Sequence, residues 1–162
     1  MTAIDDLLAA NATYAAGLGP ADLPFDRSGR LAIVTCMDVR IETGRAFGLR
    51  EGTAYVIRNA GGRIEPALPS IIVSQELLGT DELAIIHHSD CGMTTFTDAS
   101  LRERLTARGL DASGIAFGAF ADIESSVRED LQAYANSPLV RHDIPVRGFI
   151  FDVATGLLRE IA

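Results

Sequence analysis

The chain has 162 residues, 48% of them hydrophobic and 22% charged, with a formal net charge of −8. This length fits one domain, residues 1–162, that buries about two-thirds of its unfolded surface, and the absence of repeats or low-complexity tracts marks an ordinary globular chain. The acidic balance, with basic residues dispersed rather than gathered into a stripe, argues against nucleic acid or an anionic membrane as partner and leaves a small-molecule substrate.

The opening, MTAIDDLLAANATYAAG, carries acids where a secretory leader would be basic, and no stretch reaches the ~18 apolar residues of a membrane span, so a cytoplasmic protein is expected. Residues 3–16 read as a helix with Ile4, Leu7, Leu8 and later alanines on one side, ended by GLGP. So far from the first strand, it is expected to pack on a neighbouring subunit. RLAIVTCMDVR follows, with the short continuous apolar run of a strand buried on both faces. TAYVIRNAGG, DELAIIHHSDCG and PVRGFIFDVATG repeat that pattern. Between the second and third strands, PALPSIIVSQELLG has helical spacing and a stop at Gly79. Between the third and fourth lie two more helical stretches, DASLRERLTARG and ADIESSVREDLQAYANSP, the latter with an Ile123, Val127, Leu131, Tyr134 stripe. The end, FDVATGLLREIA, reads as a strand, a tight turn at Thr155-Gly156 and an antiparallel edge strand. The expected fold is α/β, a single domain with a mostly parallel central sheet covered by helices on both faces. Open sheets of this kind bind ligands at the carboxyl ends of their parallel strands, which directs attention to TCMDVR, RNAGG and HHSDCG.

His88 and Cys91, two residues apart at a strand end, form half a metal site; alone, the pair is equally a hydrogen-bonded histidine and a buried thiol. The chain has two cysteines. The other, Cys36, ends the first strand at the same edge of the sheet. Two thiolates and an imidazole suit zinc, and three protein ligands leave a fourth position open, as in catalytic sites. An extended backbone after Cys36 would put Asp38 and Arg40 on the same face as the thiol. Asp38 then either becomes a fourth ligand or, held by Arg40, accepts a hydrogen bond from a metal-bound water. Gly61 and Gly62 permit positive φ, so their amides can line a small substrate pocket.

CMDVR, RNAGG and HHSDCGM, in that order, resemble the β-class carbonic anhydrases, and the chain length resembles their compact prokaryotic branch. The resemblance implies zinc held by Cys36, His88 and Cys91, with Asp38 and Arg40 as a catalytic dyad. It further implies reversible hydration of carbon dioxide to bicarbonate by a zinc-bound hydroxide, and a homodimer or higher homo-oligomer in which the N-terminal helix lies across the partner. His87, adjoining the ligand, is expected to face the opposite way in a structural or supporting position. Three rival readings remain: a hydrolase of carbonyl sulfide or carbon disulfide on the same zinc site, a structural zinc domain closed by Asp38, and a thiol redox protein using Cys36 and Cys91.

Overall fold

The apolar runs fold as one five-stranded sheet in the order β2-β1-β3-β4-β5. The structure, a computed structural model, describes residues 2–17, 30–50 and 52–161. Strands β1 (Leu31–Cys36), β2 (Ala54–Asn59), β3 (Glu82–His88) and β4 (Val146–Phe151) are parallel, and β5 (Leu158–Ile161) runs antiparallel to β4 at the edge. The final turn is wider than a two-residue hairpin. It spans residues 152–157, with the Asp152 carboxylate accepting from the amides of Ala154 and Thr155 and the Gly156 amide donating to the Asp152 carbonyl.

Five helices accompany the sheet among the described residues: α1 (Ala3–Ala16), α2 (Thr43–Ala46), α3 (Ile64–Leu77), α4 (Asp98–Thr106) and α5 (Ile123–Asn136). The two long helices next to the sheet, α3 and α5, share one face. There Ile64, Ala67 and Ile71 of α3 and Tyr134 of α5 form one core with Ala32, Val34, Leu83 and Ile85. A Cβ on Gly148 would lie 2.5 Å from Val127 Cγ1, so α5 sits against β4 where that strand has no side chain. The opposite face carries Ile33, Ile86 and Phe151, packed by Ile41, Phe47 and Leu49 from the α2 region rather than by a long helix, so the expected helical cover is uneven. Helix α3 stops where the sequence indicates: Gly79 takes φ +80, and the Thr80 amide turns back to donate to the Ser74 carbonyl.

Helix α1 begins with a capping box between Thr2 and Asp5, a local start signal for residues 3–16. None of its residues is buried, and Ile4, Leu7 and Leu8 stand exposed. Of the GLGP stop, Gly17 caps the helix; residues 18–20 lie outside the described residues.

Candidate metal centre

Parallel pairing delivers the three candidate metal-binding side chains to one edge. In the register, Cys36 lies opposite Asn59 and His88 opposite Phe151, so β1, β2, β3 and β4 end at nearly one level. The chain order reverses between β1 and β3, and at such a switch point the loops diverge and leave a crevice. After His88 the ladder runs one residue further, through the Ser89 amide on the Phe151 carbonyl. Asp90 then turns the chain with φ 54, the one positive φ outside glycine among the described residues, and brings Cys91 back over the strand end.

The ligand atoms of Cys36, His88 and Cys91 all lie within 4.8 Å of one another, and the three residues are buried. The donor set fits a metal ion. His88 Nδ1 faces the Ser89 carbonyl at 2.9 Å, so this nitrogen carries the proton and Nε2 keeps its lone pair; Nε2 is buried with no hydrogen-bond partner. An orphaned, buried imidazole nitrogen beside two buried sulfurs is costly unless a cation occupies the gap. The two thiols and the imidazole share their protons unequally. The Cys36 thiol is pulled down to about 4, chiefly by the Cys91 thiol donating toward it, against the opposing effect of burial, with help from His88 and the amides of Asp38 and Gly61. Cys91 is pushed up, because it is the partner that keeps the shared proton. Burial alone would push His88 down, but the neighbouring Cys36 and Asp38 reverse the sign and leave it raised.

Asp38 meets Arg40, though not along an extended strand. The ladder ends with the Met37 amide on the Asn59 carbonyl, and the Ile41 amide closes a turn on the Asp38 carbonyl. The Asp38 carboxylate caps that turn by accepting from the Arg40 amide at 2.9 Å, a local bond that competes with strand continuation. The turn folds the guanidinium back, so that Nε donates to Oδ1 at 2.9 Å and Nη2 to Oδ2 at 2.7 Å. This fork holds the Asp38 carboxyl well below the usual carboxylate range and raises Arg40 further. Asp38 Oδ2 stands 3.8 Å from His88 Nε2. Arg58 supports the same turn, donating to the carbonyls of Cys36 at 3.1 Å and Asp38 at 2.7 Å.

Gly61 and Gly62 have separate reasons to lack a side chain. Both take positive φ, +79 and +71. A Cβ on Gly62 would lie 2.9 Å from the Cys36 nitrogen and the Thr35 carbonyl carbon, so this residue lets the β2 end press against the backbone of β1. A Cβ on Gly61 would instead crowd Met93 Cγ and Phe120 Cε1 at 3.1 Å. Gly61 lines a cleft of about 470 Å³ with Cys36, Met37, Asp38, Val39, Ala60 and Met93, whereas Gly62 does not line it.

A family model described as carbonic anhydrase matches residues 31–110. Beta-carbonic anhydrase 1 of Mycobacterium tuberculosis is 42% identical, with 99% of each chain covered. The chain belongs to the β-carbonic anhydrase family. The crystal structure of a carbonic anhydrase from Streptococcus mutans superposes with a TM-score of 0.92 at 44% identity, over 100% of this chain and 99% of that one. A carbon disulfide hydrolase of Acidithiobacillus thiooxidans is 30% identical over 80% of this chain and 76% of its own.

His87 takes the supporting position expected of it, with partners that the sequence pattern does not single out. His87 points away from His88, onto α5, where Nδ1 meets Ser126 Oγ at 2.7 Å and Nε2 meets Asp130 Oδ2 at 2.9 Å. Asp130 also faces Arg63 Nε at 3.4 Å, and Phe120 stacks on the His87 ring. Phe120 sits on an irregular segment with no periodicity to reveal it. Asp90, inside HHSDCGM, reaches Arg40; its place between His88 and Cys91, two candidate ligands, was the available signal.

Proposed function

We propose that the chain is a zinc-dependent carbonic anhydrase that interconverts carbon dioxide with bicarbonate and a proton. The observation that carries this reading is the buried Cys36, His88 and Cys91 cluster beside an arginine-held carboxylate, in a chain of this family. Cys36 and Cys91 would hold zinc through Sγ and His88 through Nε2. Bound there, zinc supplies a Lewis acid and a water acidified from about 15.7 toward about 7, less far than at an all-histidine site because two thiolates cancel its formal charge.

Asp38 would accept a hydrogen bond from the nucleophilic water and so orient it toward the carbon of CO2. Arg40 performs two tasks through one fork: it keeps Asp38 ionised, and it holds the carboxylate back from the metal. Both Asp38 oxygens are engaged by Arg40, which supports the arrangement with an open fourth position over one closed by Asp38. Met37, Val39, Ala60 and Met93 supply apolar lining to the cleft that a linear, nonpolar substrate needs, and Gly61, which also lines it, turns its amide toward Cys36.

Stopped-flow measurement of CO2 hydration on the zinc-loaded protein tests the proposal: the rate rises with pH, and no detectable hydration at pH about 8.5 overturns it. One zinc per chain with both thiols protected excludes the redox reading. The similarity to a carbon disulfide hydrolase supports a second reading, in which the same site hydrolyses carbonyl sulfide or carbon disulfide. Sulfide release exceeding CO2 turnover would favour it.

Helix α1 supports a homodimer or higher homo-oligomer. None of its own residues is buried, and Ile4, Leu7, Leu8 and Tyr14 stand exposed, as do Met37 and Val39 at the cleft. Sedimentation of the full chain, against a variant with Leu7 and Leu8 changed to Asp, tests this. Thiols that must stay reduced to bind metal suit the cytoplasm.

A further inference from the structure

The guanidinium of Arg40 is gripped from two sides, and the second grip has no role in the reading above. Beyond the Asp38 fork, Nη1 donates to Asp90 Oδ2 at 2.6 Å and Nη2 donates to the Asp90 carbonyl at 2.9 Å. Asp38 takes Nε and one proton of Nη2; Asp90 takes the other proton of Nη2 and Nη1. The two aspartates therefore do not compete for a donor, and between them they fix the guanidinium plane along both edges.

Asp90 is costly where it stands. Its φ of 54 is a conformation in which glycine would be unstrained, yet an aspartate occupies it. Its side chain is 81% exposed, so it contributes nothing to the core, and an exposed ion pair of this kind adds little stability. What the side chain does touch is Arg40, itself 42% exposed on a long flexible stem. The carboxylate that Arg40 restrains lies 3.8 Å from His88 Nε2, so a small rotation of Asp38 would carry it onto the cluster. Asp90 also sits between His88 and Cys91, so its grip ties the turn that carries those two residues to the residue that restrains Asp38.

We propose that Asp90 is a positioning residue that acts through Arg40 to keep Asp38 off the Cys36, His88 and Cys91 cluster, and so keeps the fourth metal position open. The inference rests on the zinc-enzyme reading. Asp90→Ala removes the side-chain grip. Asp90→Asn retains an oxygen that can accept from Nη1 and a residue type tolerant of positive φ.

The test uses the full chain loaded with cobalt(II), whose visible spectrum reports coordination, and azide as a probe for an open position. Asp90→Ala binds azide at least tenfold more weakly than the unaltered protein at pH 7, with cobalt stoichiometry unchanged and the chain folded at the assay temperature. Asp90→Asn stays within threefold of the unaltered protein. The double variant Asp38→Ala, Asp90→Ala regains the azide affinity of Asp38→Ala alone, because the blocking carboxylate is gone. Unchanged azide affinity in Asp90→Ala overturns the proposal, as does a loss that Asp38→Ala does not relieve. Failure of the unaltered protein to take up cobalt is a different result: it overturns the metal reading itself, and this inference with it.

Discussion

Replacing Gly62 with alanine tests how tightly the metal centre is built on backbone contact. Two costs follow from the structure. An L-residue at φ +71 pays about 1–2 kcal/mol for a left-handed conformation. The added Cβ also meets the Cys36 nitrogen and the Thr35 carbonyl carbon at 2.9 Å, and these are backbone atoms that cannot rotate aside. Overpacking of that kind costs about 1–3 kcal/mol. The sum is about 3 kcal/mol, which a domain stable by about 5–15 kcal/mol survives. Gly79→Ala is the control: φ is +80 there too, but nothing lies within 4 Å of the new atom, so only the conformational cost applies. Urea unfolding of the metal-free proteins at equal m-value should separate the two variants by about 2 kcal/mol. Relief of the clash moves the Cys36 backbone, so Gly62→Ala should also bind zinc about tenfold more weakly, while Gly79→Ala should not. Equal destabilisation of the two variants, or a Gly62→Ala protein that keeps full zinc affinity, would refute the reasoning.

Other perturbations probe the remaining parts. Asp38→Ala should keep one zinc per chain and lose about a hundredfold in kcat/KM for CO2, the scale of removing one transition-state hydrogen bond; retained activity would dismiss Asp38 as the orienting group. Asp130→Ala strands His87 Nε2 and Arg63 Nε in the interior and should cost about 3 kcal/mol, whereas Glu129→Ala, which loses only the exposed partner of Arg63, should stay within about 0.5 kcal/mol in the same denaturation assay. The Asp98 carboxylate accepts from the amides of Ala119 at 2.9 Å, Phe117 at 2.8 Å and Gly118 at 3.4 Å, and those bonds, Ala119 first, lower its pKa in the folded chain. Because the folded value lies below the unfolded one, its stabilisation is complete above about pH 4 and disappears as pH falls through the folded value. Asp98→Asn should therefore be less stable than the unaltered protein at pH 6, with the gap closing in acid; a gap independent of pH would contradict the assignment.

Much of the architecture is legible without coordinates because its signals are local. Continuous apolar runs that stop at polar residues mark β1, β3 and β4 as buried parallel strands. The stripe on α5 and the Gly79 stop of α3 lie within a few residues of the atoms they organise. His88 and Cys91 are legible as a pair because two residues separate them, and Cys36 joins them once the strands are known to be parallel, since parallel strands bring successive carboxyl ends to one edge.

Tertiary structure decided the rest. The Asp38 turn was hidden because a side-chain cap and a continuing strand are alternatives of similar local energy, and the ladder's end on Asn59 selects between them. The partners of His87 come from Ser126 and Asp130, 39 and 43 residues further along, and no spacing rule links such groups. The uneven cover of the sheet and the exposed α1 depend on which surfaces find apolar contact. So the residue types and their order determined the ligand chemistry and the edge where it gathers. Folding alone determined which carboxylate each cation grips, because long-range partners are chosen by the packing of the whole chain and not by any segment of it.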